Sequence, residues 1–97
     1  MVACSSDPKV AARTYVEKGN ERIARQQFPE AIIEYRRAVQ SDPRLGEARL
    51  KLASAYASAG DAPNALKEYA RASDLMPDDT DTQLKAGRFM LLQLIGL

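Results

Sequence analysis

Residues 29–43 read PEAIIEYRRAVQSDP, and residues 63–77 read PNALKEYARASDLMP. The two stretches are offset by 34 residues and share seven identical positions, which carry proline, alanine, glutamate, tyrosine and arginine. Seven identities at one fixed offset in stretches this short are far beyond chance. The chain therefore contains an internal repeat of 34 residues, the kind of period that indicates a repeat architecture.

Within each stretch the apolar residues recur at steps of three and four, which is the period of a helix with one buried face. They are Ala31, Ile32, Tyr35, Ala38 and Val39 in the first stretch, and Ala65, Leu66, Tyr69, Ala72 and Leu75 in the second. Further helical patterns lie before, between and after them, and prolines mark the boundaries. The sequence predicts an all-α fold of five helices, at about 8–25, 28–41, 44–59, 62–75 and 79–95.

Composition excludes several classes of function. The 97 residues suffice for one small domain. Fourteen basic residues against thirteen acidic ones lack the basic excess of a typical nucleic-acid binder. No histidine is present, so neither a Ser-His-Asp nor a Cys-His nucleophile can be assembled. We expect no enzymatic activity, no cofactor and no nucleic-acid partner.

A metal site is also not expected. Asp78, Asp79 and Asp81 could be read as ligands for a hard cation, but the spacing of a calcium loop is missing. Acidic residues at the start of a helix more simply cap it and interact with its dipole. We interpret the three aspartates in that way.

The repeat resembles the tetratricopeptide repeat, whose unit of 34 residues is a pair of helices. The family's small residues occur as Gly19 and Ala53, its aromatic residue as Tyr35 and Tyr69, and its closing proline as Pro43 and Pro77. The resemblance implies antiparallel helix pairs stacked as a short right-handed solenoid of two and a half repeats. The units would span 12–45, 46–79 and, incompletely, 80–97, after a flexible segment and helix start at 1–11.

Proteins of this family bind peptides or helices of other proteins on a concave surface formed by the first helix of each repeat. The resemblance therefore implies a non-catalytic scaffold for protein–protein interaction, and four residues of each unit would line its groove. These are Arg13, Val16, Glu17, Asn20, Glu47, Leu50, Lys51, Ser54, Asp81, Leu84, Lys85 and Arg88. The alternative is an accessory repeat module of a larger protein with a catalytic or secretion-related domain.

One branch of the family holds the C-terminal carboxylate of a peptide with a clamp of two lysines, two asparagines and an arginine. Only Asn20 matches that clamp. The other positions carry Val16, Lys51, Asp81 and Lys85. We therefore do not expect binding of chaperone tails. Lys51, Lys85 and Arg88 are consistent with a preference for acidic segments and equally with a mixed, solvated face.

The C-terminal helix is apolar on all sides, because residues 89–92 are consecutive apolar residues. Only the preceding repeat is available to cover it. We expect that the chain comes from a longer array and that the uncovered edge otherwise forms a homodimer. The edge consists of Phe89, Met90, Leu91, Leu92, Leu94 and Ile95.

The start of the chain, MVACSSD, resembles the lipid-attachment site of a bacterial lipoprotein, with small residues before Cys4 and polar residues after it. In that interpretation Cys4 carries the lipid, which is the only expected contact with a membrane, and the protein faces the periplasm of a bacterial cell envelope. The alternatives are a surface thiol in a disordered start and a cytoplasmic protein.

Overall fold

A computed structural model describes residues 7–96. Within that range the secondary structure consists of five α-helices and no strand, so the predicted all-α fold is confirmed. The helices are α1 (Pro8–Ala24), α2 (Phe28–Ser41), α3 (Gly46–Ser58), α4 (Ala62–Leu75) and α5 (Thr80–Leu94). Their bounds agree with the predicted ones to within two residues.

Aspartates set the start of three helices. Asp7 accepts a hydrogen bond from the Lys9 amide at 2.9 Å, and Asp61 accepts one from the Asn64 amide at 3.3 Å. Asp79 accepts from both the amide and the hydroxyl of Thr82, which lowers the pKa of the Asp79 carboxyl. These contacts satisfy amide groups that the first turn of a helix leaves unpaired. Asp79 is thus a helix cap, as its position in the sequence suggested.

The helices pack as two antiparallel pairs, a first pair (α1 and α2) and a second pair (α3 and α4), followed by α5. Short connections between α-helices favour this antiparallel arrangement. Close approach within the pairs depends on alanines that are completely buried. They are Ala31 and Ala38 in α2, and Ala65 and Ala72 in α4.

The core consists of two clusters. The first lies between α1, α2 and α3 and is centred on Val16, Tyr35 and Leu52. The second joins the second pair to α5 through Tyr69 and Ala86. Because each cluster spans a pair and the helix that follows it, the first helices α1, α3 and α5 lie side by side.

Two predictions concern residues outside the described part of the chain. Cys4 and the segment before Asp7 lie there, so lipid attachment and the flexible start stay predictions. Among residues 7–96, no helix has the length and hydropathy needed to cross a bilayer.

Candidate functional site: a groove between the first helices

An open groove of about 710 Å³ lies between α1, α3 and α5. Its polar residues recur at the repeat distance of 34. They are Asn20, Ser54 and Arg88 in one row, Lys51 and Lys85 in a second, and Glu47 and Asp81 in a third. Because α1, α3 and α5 stack side by side, residues of one row occupy neighbouring positions across the groove.

Tyr35 of α2 and Tyr69 of α4 line the groove from the side of the second helices. The hydroxyl of Tyr35 donates a hydrogen bond of 2.6 Å to Oδ1 of Asn20. Burial, and to a lesser extent the negative charge of Glu47, raises the pKa of Tyr35 to about 12. Burial also raises the pKa of Tyr69, although a hydrogen bond with Ser54 acts in the opposite direction. Both hydroxyls are therefore neutral at physiological pH.

Both acidic residues of the groove are held in ion pairs. Arg13 on α1 contacts Glu47 on α3 at 2.6 Å, and Lys85 contacts Asp81 within α5 at 3.0 Å. The four side chains are 41–67% exposed, so each pair contributes little to stability. Their effect on the groove is to neutralise its acidic row.

Two cations of the groove have no acidic partner within 4 Å among the described residues. They are Lys51, which is half-buried on α3, and Arg88, which is exposed on α5. Since Asp81 and Glu47 are already paired, these two side chains leave the groove with an excess of positive charge.

The remaining wall is apolar. Leu50 of α3 and Phe89 of α5 are half-buried against the second core cluster, and Leu92 extends the wall towards the end of α5. Ile23 of α1 lines the opposite end. The groove thus presents an apolar surface next to unpaired cations, which suits a chain segment with both apolar and acidic side chains. Residues 7–96 contain no group of three or more potential metal ligands.

Residues 19–60 match the family model of the TPR repeat, the tetratricopeptide repeat. The chain belongs to the tetratricopeptide-repeat family. The matched residues run from Gly19 to Gly60 and so include the first half of the groove. Repeats of this family are modules for interaction between proteins.

Two relatives of the chain are both named as Hsp70-Hsp90 organizing proteins. The chain is 33% identical over 81 residues to the Hsp70-Hsp90 organizing protein of Triticum aestivum, an alignment that covers 84% of the chain and 14% of that protein. It is 35% identical over 71 residues to Hsp70-Hsp90 organizing protein 1 of Glycine max, with coverage of 73% and 12%. The chain thus spans about a seventh of the length of these relatives. Both are plant proteins, so the comparisons give no support to the predicted bacterial lipoprotein.

The tetratricopeptide-repeat alignment predicted twelve groove residues, and the structure brings eight of them together. These are Asn20, Glu47, Leu50, Lys51, Ser54, Asp81, Lys85 and Arg88. The other four lie elsewhere. Arg13, Glu17 and Leu84 are exposed and do not line the groove, and Val16 is buried in the core cluster with residues of α2 and α3.

Six residues of the groove were not predicted as part of it. They are Ile23, Tyr35, Ser58, Tyr69, Phe89 and Leu92. The two tyrosines were identified from the sequence only as the aromatic residues of the repeat. A signal was present, because Gly19 leaves room for the ring of Tyr35 to pass through to the groove side of α1.

Proposed function

We propose that this tetratricopeptide-repeat chain is a non-catalytic scaffold that holds a segment of another protein in the groove between α1, α3 and α5. The observation that supports this most directly is the groove itself. It has the volume of a typical ligand site and is built from side chains of three successive first helices. Its residues offer hydrogen bonds, apolar contact and positive charge, but no nucleophile paired with a base.

The chemistry of the groove defines the segment that it would bind. An apolar side chain would pack against Leu50 and Phe89, which form the continuous apolar wall. A neighbouring carboxylate would pair with Lys51 or Arg88, the two cations without an acidic partner in the described residues. The proposed ligand is therefore a peptide or helix that combines an apolar anchor with an acidic residue.

Chaperones are a partner class to be tested, since both relatives are named as organizing proteins of Hsp70 and Hsp90. The groove retains only Asn20 of the carboxylate clamp. Oδ1 of Asn20 already accepts a hydrogen bond from Tyr35, which leaves only its amide group to donate to a ligand. We propose that C-terminal chaperone peptides bind more weakly here than internal acidic segments with an apolar anchor.

The test is a selection of displayed random peptides on the chain, followed by affinity measurements with the selected peptides. Fluorescence polarisation would compare the parent with the double variant Lys51→Glu, Arg88→Glu. We expect affinity to fall by about tenfold or more, equivalent to about 1.4 kcal/mol. The matched control is Lys67→Glu, Arg71→Glu, which makes the same charge change on exposed residues of α4.

C-terminal peptides of Hsp70 and Hsp90 would be measured in the same assay. Selected peptides whose affinity is unchanged in the groove variant would show that the groove is not the binding site. A chaperone peptide that binds more tightly than every selected peptide would contradict the proposed ligand chemistry.

A further inference from the structure

The outer face of α5 carries an apolar stripe that the groove does not use. Leu84, Leu91, Leu94 and Ile95 are 61%, 57%, 84% and 58% exposed. Their spacing of seven and three or four residues places them on one side of the helix, with Gly87 between them. We call these five residues the α5 seam. Three residues of the predicted edge lie outside the seam, since Phe89 packs on Tyr69, Leu92 lines the groove and Met90 is 37% exposed on another side of α5.

The same face is covered in the preceding first helices. Val16 on α1 corresponds to Leu84 by two repeat lengths and is only 2% exposed, because it lies in the core cluster with residues of α2 and α3. Leu50 on α3 corresponds to Leu84 by one repeat length and is half-buried against the cluster that contains Ala86 of α5. The face that carries Leu84 is therefore a helix-packing surface in the two preceding first helices.

Gly87 forms a notch in the seam. A Cβ atom placed on Gly87 would have no neighbour within 4 Å, whereas one on the equivalent Gly19 would lie 2.3 Å from the Tyr35 ring. The backbone of α5 is thus accessible at Gly87, between Leu84 and Leu91. An apolar side chain from an approaching helix can occupy this notch.

We propose that a second copy of the chain covers the α5 seam, with the two α5 helices packed antiparallel about a twofold axis near residue 89. In this register Leu91 of each copy fills the notch at Gly87 of the other, and Leu84 faces Leu94. The seam is complementary to itself in this orientation, because Gly87 of each copy lies opposite Leu91 of the other across the twofold axis. Such an interface is isologous and closes as a dimer.

The charge distribution along α5 favours the antiparallel orientation. The charged residues of α5 are Asp81, Lys85 and Arg88, and residues 89–97 carry no charged side chain. A parallel pair would place Lys85 next to Lys85 of the second copy, whereas the two copies of Arg88 lie within about 3 Å of each other along the helix axes in either orientation. The antiparallel pair places Lys85 beside the uncharged last turn of the other helix, whose carbonyl groups carry partial negative charge.

The exposed area also suits a dimer. A patch of large apolar side chains with this exposure is on the order of 400 Å², which is within the range of the largest patches on monomers. Burying the patch and its surroundings in both copies gives about 1,000 Å², the lower limit of a specific interface. The proposed dimer is therefore a weak one that depends on concentration.

Sedimentation across a concentration series tests the association, and the proposal does not depend on ligand binding in the groove. We expect the parent to pass from monomer to dimer as concentration rises. The variant Leu91→Glu should weaken the dimer by about a hundredfold, because it places a charge in the notch of the other copy. The matched control is Ile33→Glu, which changes an apolar residue of α2 that is 50% exposed and outside the seam.

Helical circular dichroism would verify that both variants fold. A parent that stays monomeric at high concentration would overturn the proposal and leave the seam to a different partner. Equal association of the parent and Leu91→Glu would overturn it too.

Cross-linking tests the register in a Cys4→Ser background. A mixture of Leu84→Cys and Leu94→Cys proteins should give a mixed cross-link with a short bismaleimide. Leu84→Cys alone should give none, because two copies of residue 84 lie about 15 Å apart along antiparallel helices. Efficient cross-linking of Leu84→Cys with itself would indicate a parallel pair and contradict the proposed packing.

Discussion

The second helices of the two pairs share six identical residues, yet their tyrosines have different partners. In the first pair the ring of Tyr35 lies directly over Gly19 and is 2% exposed. In the second pair Ala53 occupies the equivalent position, and the ring of Tyr69 tilts onto Phe89 of α5, with 5.1 Å between ring centroids. The same residue type therefore joins helices within the first pair and connects the second pair to the next helix.

The glutamates that precede these tyrosines also have different partners. Here it is the second pair, and not the first, in which the side chain is bonded to the first helix of its own pair. Glu68 accepts a hydrogen bond of 3.0 Å from Arg49, and both side chains are largely buried. The first pair carries Tyr15 at the position of Arg49, and Oε1 of the buried Glu34 has no hydrogen-bond partner among residues 7–96. Its nearest cation is the exposed Arg37, at 3.7 Å. The comparison shows that a repeated residue is stabilised according to its partner on the first helix of its own pair.

The largest effect should come from removing the partner of Glu68. Arg49→Ala leaves a carboxylate that is largely buried without its ion pair, and such losses cost about 3–5 kcal/mol. We expect the free energy of unfolding in urea to fall by about that amount. Arg37→Ala is the control, because its contact with Glu34 is longer and its side chain is 55% exposed, so its loss should cost less than about 1 kcal/mol. Equal losses in the two variants would show that burial does not distinguish the two ion pairs.

Exchanging the small residues under the tyrosines should have the next largest effect. Gly19→Ala places a Cβ within 2.3 Å of the Tyr35 ring, and the resulting displacement should cost about 1–3 kcal/mol. Ala53→Gly should cost about 1 kcal/mol, since it removes a buried methyl group and adds a flexible residue to α3. Thermal unfolding would measure both. A stabilising Gly19→Ala would mean that the ring can move without loss of packing.

The sequence predicted the helices well because their signals are local. Prolines and aspartates such as Asp61 and Asp79 mark the starts, and the apolar period defines the length. The burial of a side chain, in contrast, depends on helices that are distant in the sequence. Val16 and Leu84 occupy the same repeat position but are 2% and 61% exposed, because Val16 is packed among residues of α2 and α3 and no helix within residues 7–96 covers Leu84. The repeat alignment assigned both to the groove, and the structure places neither there.

The tyrosines of the groove were missed for a related reason. A second-helix residue reaches the groove only if its neighbour on the first helix leaves room, which depends on pairs of residues far apart in sequence. Gly19 provides that room for Tyr35. Asn20, adjacent in sequence, then receives the hydroxyl of Tyr35. The residues of the groove were predicted from single sequence positions, whereas the hydrogen bond between Tyr35 and Asn20 depends on two residues that are far apart in sequence.

Removing the hydroxyl of Tyr35 should cost about 0.5–1.5 kcal/mol, the usual contribution of one hydrogen bond. Tyr35→Phe and Asn20→Ala should not be additive, because both remove the same contact. Unfolding in urea of the two single variants and the double variant would measure this. Additive losses would indicate that the two side chains are stabilised independently.

The variant Tyr35→Phe also tests how the stability of the protein depends on pH in the alkaline range. The pKa of Tyr35 is raised to about 12, so the folded state holds the phenolic proton more tightly than the unfolded state does. Its contribution to stability is present below the unfolded pKa of about 10 and is lost as pH rises through about 12. The stability of Tyr35→Phe should therefore decline less steeply than that of the parent in this window. Parallel declines would contradict the raised pKa.

The smallest effect should come from giving Glu34 the partner that Glu68 has. Tyr15→Arg places a guanidinium at the same repeat position as Arg49, from which it can reach Oε1 of Glu34. The change also removes a half-buried ring and its contact with the Lys18 ammonium, 5.7 Å from the ring centroid. These effects oppose each other, so we expect the net stability to rise by less than about 1 kcal/mol.

The coupling between the two positions is more informative than the net change. Introduced into a Glu34→Gln background, Tyr15→Arg should be less favourable by about 1 kcal/mol, as urea unfolding of the four proteins would show. A coupling near zero would mean that the first pair differs from the second in geometry and not only in the missing arginine.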